Sequence, residues 1–505
     1  MEAAPDTGPR PDQEPAVGRR LRYAEAGRQL APGATADQQP GTGTTQITYD
    51  PSGNVDSATD AAGTVTYGYD DANELTSVTE PGGATTSFEY NNNGKRTKTT
   101  FPGGTTQPVP PDDSSRPTKV EVKSGTTTLS SISYDYKNGA GDDTDKIHKR
   151  TADGAATAYT YDTRGRLTKA VESKDGSTTA GWAYCYDKAG NRTGSSTGTS
   201  LPACTSAQHT YTYNDAGELT GFDSATGFTY DGAGNETAAA SPTGTRTAES
   251  WTPFTQLAAS TQSGATTSHT YAGVDNTQRL TRDATTFTNA AVGLTGQSAS
   301  GAATGFVREP SGTLVAMRTG GSSPYYLTDA QNSVLGLVDT TGKRTATCTY
   351  GPYGEPRTNT GTQQPFRYTS TYLDPTGLYK MGARYYDPRL GRFTQPDPSG
   401  KENNAYLYAT GDPVNKIDPA GTLSFVGALE FTDNVLTVGD AIKAGLNGDT
   451  DALWSAVGSA AASLATEMVC QFALGFFAVP TAGASEVLGQ AVCAAAAYDV
   501  GQATS

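Results

Sequence analysis

Between residues 374 and 418, five aspartates each precede a proline, and these are the residues whose type and setting could do chemistry. Two carboxylates held close together share a proton, so that one acts as a base on water while the other acts as an acid. An Asp-Pro pair is also a common turn opener, in which the carboxylate binds backbone NH groups and does no chemistry. The residues alone leave both interpretations open for these aspartates: Asp374, Asp387, Asp397, Asp412 and Asp418.

Histidine and cysteine give no sign of a metal centre. The three histidines are far apart in the chain, and no Cys-x-x-Cys or His-Glu-x-x-His motif occurs. We therefore expect no metal ion and no cofactor.

Two pairs of cysteines bracket loops. Cys185 and Cys204 enclose a Gly/Ser/Thr-rich stretch, and Cys470 and Cys493 enclose apolar segments near the end of the chain. Each pair is either a disulfide of an oxidising compartment or two small buried thiols, and the sequence favours neither.

The elements that must position the aspartates follow from a repeat. Its kernel is aromatic-x-Tyr-Asp/Asn-x-x-Gly-x-Leu/Arg-Thr, with Tyr on a strand, Asp or Asn opening a turn, and Gly accepting a positive φ. Thr, Val and Leu begin the next strand, so each unit is a hairpin that needs stacked neighbours for stability. The anchoring tyrosines are Tyr49, Tyr69, Tyr90, Tyr134, Tyr161, Tyr186, Tyr213 and Tyr230.

Composition supports a polar, turn-dense β protein. Of 505 residues, 35% are hydrophobic and 18% charged, with 59 Gly, 28 Pro and 27 Tyr, which argues against both a helical enzyme and a disordered chain. The net charge of −15 disfavours a nucleic-acid partner, because phosphate binding needs a basic surface.

The repeats resemble the YD repeats of the rearrangement-hotspot (Rhs) family, which is related to teneurins and to the C components of insecticidal ABC toxin complexes. The phrases YYLTDAQNSVLGLVDTTGKRTATCTYGPYGE, ARYYDPRLGRFTQPDPSG and NNAYLYATGDPVNKIDPAG resemble that family's repeat-associated core region. The resemblance covers about residues 45–421. It implies antiparallel hairpins that spiral into a shell, complete or incomplete, with the core region capping one end.

Relatives with this core often cut themselves once, which is attributed to a pair of aspartates. By this resemblance, Asp397 and Asp418 are the candidate catalytic pair, and Arg392 is the candidate partner of a carboxylate or an oxyanion. The phrase that ends at Gly421 is followed by Thr422 and Leu423, where the family usually has Leu directly after the Gly. The resemblance thus implies a cut near Gly421, Thr422 and Leu423, at a bond that this departure leaves undecided.

The resemblance divides the chain into four parts. Residues 1–44 are expected to be a disordered lead-in without a signal peptide, residues 45–320 the repeats of the shell wall, and residues 321–421 the core region. Residues 422–505 are rich in Ala, Leu and Val at helical spacing and predict a small α-helical domain. We expect this domain to bury its apolar residues, with membrane contact as the alternative.

Two functions are expected. The first is a bacterial shell protein, secreted or at the cell surface, that encloses or presents its own C-terminal segment in toxin delivery or interbacterial competition. Its partners would be that segment, a cognate immunity protein, secretion machinery or a shell-completing chain, and its only chemistry a single self-cleavage. The second is an adhesive surface scaffold with a non-toxic helical cap and no cleavage. Neither function is the turnover of an outside substrate.

Overall fold

This computed structural model describes residues 36–39, 43–272, 277–400, 402–422 and 425–426. Antiparallel β-hairpins make up most of this structure, as the repeat predicted, with short 3-10 turns at Pro102–Gly104, Cys204–Ser206, Tyr368–Ser370 and Tyr408–Gly411. Most of the predicted lead-in and nearly all of the predicted helical domain, including Cys470 and Cys493, lie outside the described residues. Within them, no helix is long and apolar enough to cross a membrane.

The first seventeen strands form one large sheet in which each strand pairs antiparallel with the next one along the chain. The strands are β1 Ala36–Gln39, β2 Gly43–Tyr49, β3 Val55–Asp60, β4 Gly63–Tyr69, β5 Leu75–Thr79, β6 Thr85–Tyr90, β7 Arg96–Thr100, β8 Thr105–Pro108, β9 Lys119–Ser124, β10 Thr127–Asp135, β11 Lys149–Ala152, β12 Ala155–Tyr161, β13 Leu167–Lys174, β14 Ser177–Tyr186, β15 Arg192–Thr197, β16 His209–Tyr213 and β17 Leu219–Phe222.

A second sheet of fourteen strands continues the same consecutive pairing. The strands are β18 Thr229–Tyr230, β19 Glu236–Ser241, β20 Gly244–Trp251, β21 Leu257–Gln262, β22 Ala265–Ala272, β23 Gln278–Arg282, β24 Thr285–Ala290, β25 Gly293–Ala299, β26 Ala302–Arg308, β27 Leu314–Thr319, β28 Tyr325–Thr328, β29 Val334–Val338, β30 Arg344–Tyr350 and β31 Pro356–Gly361. The sheet runs without a break past residue 321, and the domain limits stay a prediction.

Two small sheets follow the second large sheet. One contains β32 Tyr372–Leu373, β33 Tyr379–Met381, β34 Arg384–Asp387 and β35 Arg392–Phe393, and the other pairs β36 Lys416–Ile417 with β37 Phe425–Val426. Buried rings of the four-stranded sheet, such as Tyr379 and Phe393, share one hydrophobic cluster with Val78 and Leu167 of the first large sheet. We call the two large sheets the wall. The four-stranded sheet packs against buried side chains of this wall.

The repeat hairpin has the turn chemistry that its kernel predicts. At the end of β12, the Asp162 carboxylate accepts hydrogen bonds from the backbone NH of Arg164 and Arg166, at 2.9 and 3.0 Å. Gly165 closes the turn with a φ of +77°, and Asn73 takes the same left-handed conformation (φ +62°) in a unit that lacks the glycine. Asn tolerates this region better than most residues with a Cβ, so the substitution keeps the turn.

In seven hairpins, a tyrosine at the end of the first strand links the hairpin to the one before it. Its hydroxyl donates to a backbone carbonyl close to the start of an earlier strand, over 2.6 to 3.0 Å. This bond satisfies a polar atom on an otherwise apolar ring, so the ring can fill the space between hairpins at little cost. The donor–acceptor pairs are Tyr69–Val55, Tyr90–Leu75, Tyr161–Ile147, Tyr186–Leu167, Tyr213–Arg192, Tyr271–Leu257 and Tyr350–Val334.

A register shift accompanies the tyrosine in these hairpins. The ladder slips by one residue at Tyr69, Tyr161 and Tyr213, for example, directly before the turn. A bulge bends its strand and increases the local twist, so repeated bulges at the same place curve the sheet. Each repeat thus contributes to the curvature of the sheet as well as forming a turn.

The structure also reveals repeats without the tyrosine. Trp251 occupies the bulge position of β20, and its indole NH donates to the Glu236 carbonyl at 2.7 Å. Arg308 occupies the bulge position of β26, and its Nε donates to the Leu294 carbonyl at 2.7 Å. Different side chains therefore make the same bond, because the position requires a donor that reaches a backbone carbonyl of the adjacent strand.

A buried ion cluster joins the wall to the four-stranded sheet. Arg246 on β20 contacts Glu236 at 2.5 Å, Asp387 on β34 at 3.1 Å and Glu249 at 3.4 Å, and its side chain is fully buried. Three carboxyl groups thus share one guanidinium. Burial, followed by the charge of Glu236, raises the pKa of Glu249 well above its ordinary value.

We expect Tyr213→Phe to lower the free energy of unfolding by about 1 kcal/mol, because the Arg192 carbonyl loses its 2.8 Å hydrogen bond. Urea unfolding measures this change. Tyr184→Phe is the matched control, since its buried hydroxyl has no hydrogen-bond partner among the described residues. Equal losses for the two variants would contradict the linking role of the hydroxyl.

Glu249→Gln should gain stability relative to the wild type as the pH rises. Below the ordinary carboxyl pKa of 4.5, Glu249 is protonated both folded and unfolded. Above it, the unfolded chain ionises while burial keeps the folded carboxyl protonated, so the wild type loses stability until the pH passes the raised pKa. Thermal unfolding between pH 4 and 8 tests this, with exposed Glu89→Gln as the control. A stability difference that does not change with pH would refute it.

Candidate functional site

The Asp-Pro-Ala-Gly turn, residues 418–421, lies against the turn between β33 and β34. The backbone NH of Ala383 donates to the Ala420 carbonyl at 2.8 Å. Gly421 has a φ of +64°, and a Cβ on it would come within 2.3 Å of the Met381 carbonyl oxygen. Only glycine fits this approach, so Gly421 fixes where the chain leaves the turn.

Arg384, at the start of β34, donates hydrogen bonds with all three of its nitrogens, two of them to this turn. Nε donates to the Gly421 carbonyl at 2.7 Å, Nη1 to the Ala405 carbonyl at 3.0 Å, and Nη2 to Asp418 Oδ2 at 2.8 Å. Its guanidinium lies 3.5 Å from the centre of the Phe393 ring. Arg384 and Asp418 are each 1% exposed, so this is a buried ion pair with further hydrogen bonds.

Asp397 accepts hydrogen bonds from the turn that follows it. The backbone NH of Ser399 donates to Oδ1 at 3.0 Å, and the backbone NH of Glu402 donates to Oδ2 at 3.3 Å. The Ser399 hydroxyl lies 2.5 Å from Asp397 Oδ2. This is the turn-capping geometry that any Asp-Pro pair can adopt, with one additional contact.

That contact brings both aspartates to a single residue. Ser399 Oγ also lies 3.0 Å from the Thr422 carbonyl oxygen, to which it donates. On the other side, the Thr422 NH donates to Asp418 Oδ1 at 3.1 Å. Asp418 therefore binds Thr422 directly, and Asp397 reaches it through Ser399.

Arg392 lies elsewhere. Its Nη2 donates to the Gly217 carbonyl at 2.9 Å, and its guanidinium faces the rings of Tyr406 and Tyr213, 4.6 and 5.2 Å from their centres. The guanidinium that holds an aspartate here is that of Arg384, a residue that the sequence analysis did not include among its candidates.

Sequence reasoning also missed Ser399. Its position two residues after Asp397 marks it as part of the turn, but contact with Thr422 requires the two Asp-Pro turns to meet in space. Leu423 and Lys401 lie outside the described residues. Among the residues that are described, no group of three His, Cys, Asp or Glu side chains could hold a metal ion.

Of the cysteines, Cys185 at the end of β14 and Cys204 in the turn before β16 form a disulfide with a Cα–Cα distance of 5.8 Å. Cys348 is a buried free thiol whose Sγ lies 3.1 Å from Arg367 Nη1. The Cys185–Cys204 bond closes the loop between strands and lies apart from the two aspartates in the sequence.

Comparison with known families confirms the resemblance to YD-repeat proteins. The model of the teneurin YD-shell matches residues 297–414, and the model of the RHS repeat matches residues 49–85 and 69–106. The RHS repeats that match lie in the first sheet, and the YD-shell match covers the last strands of the second sheet, the four-stranded sheet and the Asp397 turn.

Similar sequences are found in insects and bacteria. The chain is 38% identical over 128 residues to salivary gland surface protein 1 of Aedes aegypti, covering 24% of this chain and 4% of that protein. It is 33% identical over 108 residues to the tRNA nuclease WapA of Bacillus subtilis, covering 19% and 5%. It is 35% identical over 106 residues to double-stranded DNA deaminase toxin A of Burkholderia cenocepacia, covering 19% and 7%. The chain thus spans a small part of these relatives.

Solved structures share the fold. The Tc holotoxin pore of Photorhabdus luminescens superimposes with a TM-score of 0.59 at 18% identity, over 76% of this chain and 21% of that chain. The TcdB2-TccC3 complex without its hypervariable C-terminal region gives a TM-score of 0.52 at 18% identity, over 75% and 21%. At this identity, the likeness establishes the β-shell architecture and nothing further.

We expect Arg384→Met to lower the free energy of unfolding by about 3–5 kcal/mol, because it leaves the Asp418 carboxylate buried without its cation. Adding Asp418→Asn should recover part of the loss, which urea unfolding of the two single variants and the double variant measures. Arg357→Met, at a more exposed ion pair with Glu172, should change stability by less than about 1 kcal/mol. Strict additivity of the first two substitutions would contradict the pairing.

Proposed function

We propose that this protein is a secreted or surface-exposed shell that carries its own C-terminal segment, from residue 423 onward, and cuts itself once to free that segment. The observation that carries the proposal is the convergence of two carboxyl groups on Thr422, one directly and one through Ser399. The segment would serve in toxin delivery, and its partners would include a cognate immunity protein and secretion machinery.

The relatives support the toxin part of this proposal. Two of them are named as a tRNA nuclease and a DNA deaminase toxin, and each matches this chain over only a small part of its own length. Such a pattern fits a shared carrier with different cargo. The Tc shells support the same architecture by their fold.

In the proposed reaction, Asp418 is the base. Arg384 Nη2 stabilises negative charge on Asp418 Oδ2 at 2.8 Å, so that Oδ1, which binds the Thr422 NH, can also accept a proton from water. Arg384 Nε holds the Gly421 carbonyl at 2.7 Å and keeps the peptide in place during attack.

We assign the acid role to Asp397, which reaches Thr422 through Ser399. The Ser399 hydroxyl has one proton and two acceptors within reach, Asp397 Oδ2 at 2.5 Å and the Thr422 carbonyl oxygen at 3.0 Å. One ionised and one protonated aspartate are what hydrolysis of a peptide bond requires.

The bond cut in this scheme joins Thr422 to Leu423. A water molecule gives a proton to Asp418 as its oxygen attacks the Thr422 carbonyl carbon, and Ser399 donates a hydrogen bond to the developing oxyanion. The C–N bond then breaks, with Asp397 supplying the proton to the leaving Leu423 nitrogen. The proton on Asp418 returns to Asp397 through solvent or the new carboxyl group, which restores both residues.

Mass spectrometry of the purified chain tests the proposal. The wild type should give two fragments whose masses place the cut after Thr422, and Asp397→Asn or Asp418→Asn should leave one full-length species. Ser399→Ala should slow the appearance of fragments about 100-fold, as expected for the loss of one oxyanion donor.

Asp339→Asn is the matched control, because Asp339 caps a turn of the same kind through the NH groups of Thr341 and Lys343. It should cleave like the wild type. A wild-type chain that stays at full mass over days, or variants at Asp397 and Asp418 that still cleave, would reject the reaction.

An adhesive scaffold is the second candidate. It is favoured by the 38% identity to a protein named as a salivary gland surface protein. The same mass measurement separates the two functions, because a scaffold keeps its C-terminal segment attached.

A further inference from the structure

A cavity of about 360 Å³ lies between the second large sheet and the four-stranded sheet. Three cationic side chains line it, Arg279, Arg308 and Lys380, and among the residues that the structure describes no Asp or Glu lines it. Ile417 and Pro419, which flank Asp418, form another part of the lining. Its volume is in the range that binds small ligands or side chains.

Among the described residues, the cations of this cavity have fewer acidic partners than they need to balance their charge. Arg279 shares a single acid, Asp374, with Arg282, at 2.6 and 2.9 Å, so that trio already carries a net positive charge. Arg308 donates to the carbonyls of Leu294 and Gly312, at 2.7 and 2.5 Å. These carbonyl dipoles do not neutralise its charge, and burial lowers its pKa to about 10.

Lys380 has the same imbalance. Its Nζ donates to the Gly382 carbonyl and, at 3.1 Å, to Gln256 Oε1, which are both neutral acceptors. It also lies 5.4 and 5.7 Å from the ring centres of Tyr385 and Tyr271. Burial, together with the charge of Arg279, lowers the pKa of Lys380 to about 7, and Asp374 opposes this only in part.

Arg308 is also an exception within the repeat. Its position is the one where seven other hairpins carry a tyrosine that donates to an earlier carbonyl, and Arg308 makes the equivalent bond with Nε. A tyrosine would make this bond without placing a charge in the cavity wall. The hydrogen bond between hairpins therefore does not explain why this position carries a charged residue. An anion bound in the cavity would explain it, because it would pair with the buried charge.

The chain supplies acids close to this cavity. Strand β37 pairs with β36, with Phe425 opposite the cavity-lining Ile417, so the chain leaves the described residues about one strand spacing from the cavity wall. Glu430 follows Val426 by four residues, which an extended chain covers in about 14 Å. Residues 427–505 contain one lysine, no arginine, and these acids: Glu430, Asp433, Asp440, Asp449, Asp451, Glu467, Glu486 and Asp499.

We propose that the cavity formed around Arg308 and Lys380 is a carboxylate-binding site that docks the first acidic residues of the C-terminal segment, Glu430 or Asp433. This deepens the proposed carrier function, on which it rests. The site holds the segment by charge pairing directly beyond the bond at Thr422. Because the link is short, the carboxylate is present at a high effective concentration and needs little intrinsic affinity.

The test measures the ionisation of Lys380 in the full-length chain. The pH dependence of its acetylation by acetic anhydride is read by mass spectrometry of the Lys380 peptide. A docked carboxylate stabilises the ammonium form, so Glu430→Gln with Asp433→Asn should lower the apparent pKa of Lys380 by about one pH unit or more. Glu486→Gln with Asp499→Asn is the charge-matched control and should leave it unchanged.

A second variant tests the partner cation. Arg308→Tyr restores the residue type of the repeat and should fold, and in this background neutralising Glu430 and Asp433 should shift Lys380 less than in the wild type. An effect of the same size would remove Arg308 from the site.

Two results would overturn the proposal. One is a Lys380 profile that is the same in the wild type and in the Glu430/Asp433 variant. The other is a profile that responds equally to inorganic phosphate in the wild type and in that variant, which would mean that the cavity takes a free anion and not the segment. Neither result depends on self-cleavage, which the masses of the same samples report separately.

Discussion

The hydrogen bond from a side chain at the strand bulge to a carbonyl close to the start of an earlier strand is the interaction on which this structure depends. A single hairpin buries too little apolar surface to be stable, so each must be joined to its neighbour. The repeat tyrosine does this with one ring and one hydroxyl, as Tyr213 does to the Arg192 carbonyl at 2.8 Å. The bulge at the same residue bends the strand, so the link that stacks the hairpins also curves the wall.

The wall in turn encloses the four-stranded sheet, where an ion pair is buried. Arg384 and Asp418 are each 1% exposed, and such a pair is stable only where further hydrogen bonds satisfy it. The Gly421 and Ala405 carbonyls supply them, and Gly421 is the residue that allows the turn to approach so closely. The same contacts that fix the chain therefore orient Thr422 between Asp418 and Ser399, where the proposed cut occurs. The carboxylate site that we propose in the cavity beside Ile417 would extend this control to the chain beyond the proposed cut.

Local chemistry was predictable from the residues. The turn at Asp162 and Gly165 follows from an aspartate that caps backbone NH groups and a glycine that accepts a positive φ. The Asp-Pro pairs likewise predicted turns at Asp397 and Asp418. Hairpins that lack the tyrosine were not recognised, because Trp251 and Arg308 share only a hydrogen-bond donor with it, and residue type alone does not reveal that equivalence.

By itself, the sequence determined the hairpin, its turn and its periodicity, because each depends on residues that are near each other in the chain. Only the tertiary structure decided which arginine binds Asp418. Arg384 and Arg392 have the same side chain and lie on neighbouring strands, so residue type could not distinguish them. It also decided that Ser399 meets Thr422 and that three cations share one cavity. These are contacts between turns far apart in the chain, and their partners are set by how the wall folds around the four-stranded sheet.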